Sequence, residues 1–172
     1  MNKIQIIVNN GAGTGSAVAV WKETKEYLQE NGISYNAYLT RYEKHAVKLA
    51  GQICGKIPEG PIYLLVVGGD GTINEVLNGI TDFDRVRLGV IPTGSGNDFA
   101  RNLGILRDTR EDLREITACI DQEQNGEKLQ RIDLGKVSWE GCEKPRIFGI
   151  SAGAGLDAIC LLYTSDAADD LI

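Results

Sequence analysis

The 172-residue sequence has a single histidine and only four prolines, and its four cysteines show no CxxC spacing. Cys54, Cys119, Cys142 and Cys160 therefore support neither a zinc site nor a disulfide framework, and reduced cytoplasmic thiols are the expectation. Long hydrophobic runs are missing too. Apolar runs do not exceed the six residues of 62–67, far short of the roughly 18–20 needed to span a bilayer. Met1-Asn2-Lys3 leads directly into a short apolar stretch, with no signal-peptide h-region or small-residue cleavage site. Basic charge is in deficit: 18 Lys and Arg face 24 Asp and Glu, giving −6 and a pI near 4.9, which argues against duplex nucleic acid as a partner. With 42% hydrophobic and 24% charged residues the chain is an ordinary globular sequence, neither disordered nor collagen-like. Its length suits one domain, or one domain and the start of a second.

What the sequence has in excess is glycine: 21 residues, about 12% against the usual ~7%. Eight of them fall between Gly68 and Gly104, which draws the search for function there.

The last residues stand apart. From Cys160 the chain reads CLLYTSDAADDLI, which resembles the translation of a sequencing-library transposon adapter. The expectation is that native sequence ends near Ile159 and that 160–172 is a non-native tail; an acidic C-terminal tail is the alternative. Without Asp166, Asp169 and Asp170 the chain has 18 basic against 21 acidic residues, a charge of −3.

Residues 3–8 alternate towards an apolar run (Ile4, Ile6, Ile7, Val8) that stops at Asn9-Asn10-Gly11, a first strand entering a turn. Val18, Trp21 and Leu28 recur near a 3.6 period within 16–31, with Ser16 as candidate N-cap and Gly32 at the C′ position. Ile33, Tyr35, Ala37 and Leu39 alternate as a second strand ending at Thr40. Ala46, Val47, Ala50, Ile53, Cys54 and Ile57 mark an amphipathic helix closed by Pro58-Glu59-Gly60-Pro61. Residues 62–67 are apolar throughout, as in a central strand covered on both faces. A short helix over 74–78, a strand over 87–91, a helix starting near Asn97 and another over 111–120 follow. Strands alternating with helices predict an α/β fold, a parallel sheet with helices on both faces. Beyond Gln130 two strands, 131–139 and 145–151, joined by Glu140-Gly141-Cys142, predict a mainly β second lobe. The domain reading is thus an α/β lobe over 1–130 and the start of a β lobe over 131–159.

Two glycine-rich turns carry the chemistry. Gly68-Gly69-Asp70-Gly71-Thr72 follows the most buried strand, at the carboxyl end where open α/β sheets bind ligands. Its glycines let backbone N–H groups approach an anion closely. Thr72-Ile73-Asn74-Glu75 reads as a capping box opening a helix whose N-terminus also favours phosphate. Asp70 is out of place in an anion-binding loop unless a cation lies between, so it points to Mg²⁺ or to a base facing a hydroxyl nucleophile; a plain turn residue is the alternative. Glu75 divides evenly between ligand contact and capping. The second turn, Pro92-Thr93-Gly94-Ser95-Gly96-Asn97-Asp98, matches a capping box again, and Asp98 either caps its helix or joins the site. Arg101, one turn on, is the nearest fixed positive charge, or else a solvated helix residue. A third turn, Asn9 to Ser16 with Gly11, Gly13 and Gly15, is neither a Walker A loop nor a GxGxxG motif, and gains weight only from sharing the sheet edge with the others. His45 lacks partners for a metal site and reads as a surface or capping residue.

Asn9 with its three spaced glycines, Thr40 followed by His45-Ala46, GGDGTINEV from Gly68 and PTGSGNDFAR from Pro92 together resemble the diacylglycerol kinase catalytic-domain family, in particular its bacterial lipid kinases. GGDGT alone is shared with NAD kinases; GGDGTxNEV followed by PxGSGNDFAR is highly specific. The resemblance covers 3–159, roughly the first half of such an enzyme. It implies a three-layer α/β/α nucleotide-binding lobe followed by the beginning of a β-sandwich lobe. It implies ATP bound by Asn9, Thr40, the Gly68, Gly69, Asp70, Gly71 and Thr72 loop, and Ser95, with Gly94, Asn97, Asp98 and Glu75 in the same motifs, and Mg²⁺ near Asp70. Ser95 stands where many members carry Thr, and Asn10 where they carry Pro. Ala152-Gly153-Ala154-Gly155-x-Asp157 resembles the start of the second lobe, which in the family supplies much of the lipid site and the acceptor-activating carboxylate; no residue here matches that carboxylate.

The expected activity is ATP-dependent transfer of a phosphoryl group to a lipid hydroxyl such as that of diacylglycerol, with Asp70 as base or metal ligand. The rivals are an NAD kinase and a nucleotide-binding fragment without activity. Expected partners are ATP and a lipid at the inner membrane face, approached from the cytoplasm, with a homodimer left open. The 172-residue chain alone is expected to be inactive.

Overall fold

The computed structural model describes residues 3–9, 11, 16–105, 108–126 and 129–152. Gly13 and Gly15 of the first turn, the 153–157 segment and the 160–172 tail lie outside the described residues.

The first lobe runs β1 (Ile4–Val8), α1 (Ser16–Glu30), β2 (Tyr35–Leu39), α2 (His45–Lys56), β3 (Ile62–Gly68), α3 (Asp70–Gly79), β4 (Val86–Pro92), α4 (Asp98–Asn102) and α5 (Thr109–Gln124). Its four strands are parallel, in the order β2-β1-β3-β4. All seven residues of β3 are buried, as its unbroken apolar run requires of a strand covered on both faces. Alternation along β3 sends Ile62, Leu64 and Val66 into one core layer with α2, α3 and α4. Tyr63, Leu65 and Val67 enter the other, with Trp21 and Leu28 of α1 and Leu113 and Ile120 of α5. The three-layer α/β/α arrangement is therefore present.

Gly79 fixes how closely two helices on the first face approach. A Cβ there would collide with the Val47 carbonyl oxygen and lie 2.9 Å from Ala50 Cβ, so α2 packs on α3 through the missing side chain.

Several boundaries differ from the sequence reading. Helix α3 begins at Asp70 rather than at residue 74, because the extended backbone of Gly69 (φ −93°, ψ −175°) turns β3 straight into the helix. Thr72 is consequently inside the first turn, and the expected capping box does not form. Helix α5 starts earlier than residue 111, where the Asp108 carboxylate accepts from Arg110 N at 2.9 Å and Glu111 N at 3.0 Å. The strands expected over 131–139 and 145–151 are shorter, β5 (Gly135–Val137) and β6 (Arg146–Phe148), paired antiparallel. The turn between them contains Gly141 at φ 84°, where a side chain would be strained.

Candidate active site

The turns after β1, β2, β3 and β4 all lie at the carboxyl edge of the sheet, and named side chains tie them together. Asn9, following β1, donates from Nδ2 to Thr72 Oγ1 at 2.9 Å and accepts at Oδ1 from Thr40 Oγ1 at 3.2 Å and from Gly11 N at 3.1 Å. One asparagine thus joins three of the residues singled out in sequence. Gly68 packs beneath Thr72, whose Cβ would lie 2.7 Å from a Cβ on Gly68. Gly69 and Gly94 press against each other: a Cβ on Gly69 would fall 3.0 Å from Gly94 Cα, and one on Gly94 would fall 2.9 Å from Gly69 Cα. Thr93 N donates to Gly68 O at 3.1 Å. The two glycine turns are therefore one structural unit.

Asp70 is held rather than free. Its Oδ2 accepts from Asp98 N at 3.0 Å and its Oδ1 from Phe99 N at 3.0 Å, so the first residue of α3 caps the start of α4. This answers why a carboxylate sits in a glycine-rich turn: two main-chain amides meet part of its hydrogen-bonding capacity. The second capping box expected from sequence, Ser95 to Asp98, is replaced by this contact. Asn97 takes the cap position in the left-handed region (φ 52°), and its side chain closes the turn through Gly94 N at 2.9 Å and Gly94 O at 2.7 Å. Ser95 and Asp98 are exposed. A Cβ on Gly96 would lie 3.3 Å from Asp70 Oδ2 and 3.7 Å from Asp98 Oδ2, which places the two carboxylates around the same bare stretch of backbone. Arg101 is turned to the loop itself, donating from Nη2 to Gly96 O at 3.0 Å.

Glu75 is turned to the start of α2. Its Oε1 accepts from Lys44 N at 3.0 Å and its Oε2 from Ala46 N at 3.1 Å, capping α2. Lys44 occupies the cap position at φ 63° and supplies no cap of its own, so the acid on α3 does it. His45 closes the same turn, Nδ1 accepting from Arg41 N at 3.1 Å with its ring stacked on Tyr42.

A cleft of about 320 Å³ opens beside Asp70 and Asp98. Asn74 and Ser151 add polar lining, whereas Ile73, Leu77, Phe99, Phe148 and Ile150 make most of its wall apolar. The β6 side of this wall was missed in sequence, because nothing in 146–151 signals contact with α3. Asp70, Asn74 and Asn78, spaced four apart, are the signal that was available: they form one polar stripe along a helix.

The arrangement suits a phosphorylated ligand with its cation. The first-turn amides of α3, including those of Gly71 and Thr72, have no intrahelical acceptor, and nothing lies within 4 Å of the position a Cβ on Gly71 would take. Two carboxylates without a third acidic or histidine partner match the way Mg²⁺ is usually held, by one or two acids and the ligand's own phosphates. Among the described residues no group of three or more His, Cys, Asp or Glu forms an all-protein metal site.

Comparison with known proteins agrees with the geometry. Residues 3–137 match the model of the diacylglycerol kinase catalytic domain, and the chain belongs to that family. It is 36% identical over 112 residues to a Bacillus subtilis (strain 168) chain named provisionally as a lipid kinase, covering 64% of this chain and 36% of the other. It is 41% identical over 99 residues to the diacylglycerol kinase of the same strain, covering 55% and 30%. A solved diacylglycerol kinase structure from Bacillus anthracis str. Sterne superposes with a TM-score of 0.56 at 29% identity, over 67% of this chain and 39% of that one. The chain thus spans only about a third of the length of the curated relatives it matches. Among the described residues no helix is long and apolar enough to cross a membrane.

Proposed function

We propose that this chain is the nucleotide-binding part of an ATP-dependent lipid kinase, which moves the γ-phosphoryl group to a lipid hydroxyl such as that of diacylglycerol. The observation that carries the reading is the fused pair of glycine turns with Asp70 and Asp98 beside an apolar cleft. Phosphoryl transfer rests on positioning and charge neutralisation more than on covalent chemistry by the protein. In this reading the α3 amides and Ser95 hold phosphate oxygens, Gly94 keeps the turn closed through Asn97, and the link from Asn9 to Thr40 and Thr72 fixes the loops around the nucleotide. Asp70 and Asp98 would hold Mg²⁺, which supplies neutralisation of charge on the phosphates when bound.

The cleft wall of Leu77, Phe99, Phe148 and Ile150 favours an acceptor with an acyl chain over the hydrophilic dinucleotide an NAD kinase would take. The enzyme would work at a membrane surface from the cytoplasmic side. With about a third of its relatives' length, the chain alone is expected to bind ATP without transferring phosphate.

The test is an acceptor panel. The longest reading frame containing this sequence is assayed with ATP labelled in the γ position, Mg²⁺, vesicles carrying diacylglycerol or other hydroxyl lipids, and NAD. Label in a lipid product supports the reading; label in NADP, or ATP binding with no lipid product, contradicts it.

A further inference from the structure

We infer that Asn78 is a positioning residue that docks the β5–β6 pair onto α3 and thereby builds the second wall of the cleft. Its side-chain amide imitates a strand edge. Asn78 Nδ2 donates to Ile147 O at 2.9 Å, and Ile147 N donates to Asn78 Oδ1 at 2.9 Å. That reciprocal exchange is the one two facing residues make in an antiparallel ladder. The amide is itself oriented from within α3, since Nδ2 also donates to Asn74 O at 2.8 Å and lies 3.1 Å from Asn74 Oδ1.

The docking matters because β5 and β6 have three residues each, and an isolated two-stranded ribbon is marginal in water. What seats the ribbon then decides where its side chains go. Next to the clamp, Gly149 lets the chain pass close to the first lobe: a Cβ there would stand 2.7 Å from Phe99 Cε2 and 3.1 Å from Leu77 Cδ1. Ile147 packs on the same core layer as α3. Phe148 and Gly149 are thereby brought to the cleft that Asp70 lines. The exposed Arg131–Asp84 contact at 3.5 Å contributes little to this seating.

The structural claim stands on the geometry alone; its kinetic consequence rests on the lipid kinase reading. The first test is residue-resolved hydrogen exchange on the 172-residue chain, comparing wild type with Asn78→Ala. Exchange of the β6 amides, Ile147 above all, should rise at least about tenfold while β1 and β3 stay protected. An unchanged β6, or an equal rise throughout the chain, overturns the assignment. The second test uses the full reading frame. Asn78→Ala should lower kcat and raise KM for the lipid by about tenfold or more, with KM for ATP within about twofold, because the nucleotide loops do not depend on the clamp. A raised KM for ATP with normal kcat overturns it. If wild type transfers nothing to any lipid, the functional reading fails, and the exchange result still decides the role of Asn78.

Discussion

Asp70 and Asp98 sit side by side but differ in what holds them, and substitution should separate the two. Both oxygens of Asp70 accept main-chain hydrogen bonds, so in Asp70→Asn an NH₂ group must face a backbone N–H. A loss of about 1–3 kcal/mol of stability is expected, together with loss of transfer. Asp98 is exposed, and Asp98→Asn should leave the melting temperature within about 1 °C, a change of a few tenths of a kcal/mol, while reducing activity at least tenfold. Denaturation curves beside activity assays check both. Glu75 is the third acid and caps the start of α2. Glu75→Ala would leave Lys44 N and Ala46 N of the α2 start without their acceptor, costing about 1–2 kcal/mol in urea unfolding. These roles were only half legible in sequence. Motif spacing identified the acids, but a one-dimensional capping rule assigns an acid to its own helix. Asp70 and Glu75 each cap a neighbouring helix, a choice made by tertiary packing.

At the scale of elements, periodicity and glycine placement explain most of the architecture. The unbroken run of β3, the alternation of β2 and the apolar spacing of α2 sufficed to locate them, because each period reports which face is buried. The start of α3 was not legible, since Gly69 at an extended cap offers no side-chain signal. Nor was the contact of β6 with α3, in which the Asn78 side chain meets main-chain atoms of Ile147 that carry no sequence signal. Helix packing on the first face should be acutely sensitive at Gly79, where Gly79→Ala forces α2 away from α3. We expect roughly 1–3 kcal/mol of destabilisation by thermal or urea melts, despite alanine's better helix propensity. On the opposite face, burial raises the pKa of the Tyr63 hydroxyl above its ordinary 10.0, and the Glu123 carboxylate beside it raises it further. A neutral group with a raised folded pKa gives full stability below the unfolded pKa and loses it as pH climbs through the folded one. Stability should therefore fall above about pH 10, and Tyr63→Phe should blunt that alkaline fall in melting temperature.

For the whole molecule, the parallel sheet delivers four turns to one edge, and their side chains and glycines interlock before any ligand is considered. In the proposed reading a charge of −6 is compatible with phosphate binding, because backbone amides and a cation would take the place of lysine. The β5–β6 pair enters as the far wall of the cleft that Asp70 lines, and in the proposed reading nucleotide and acceptor would be held by different parts of the fold. The central claim is tested most directly by following γ-labelled phosphate from ATP into an organic-extractable lipid in the full reading frame, with Asp98→Asn as the matched control. Label in the lipid with wild type, reduced at least tenfold in the variant while its melting curve is unchanged, is the predicted result. Equal transfer by both proteins, or label that stays in water-soluble products, would contradict it.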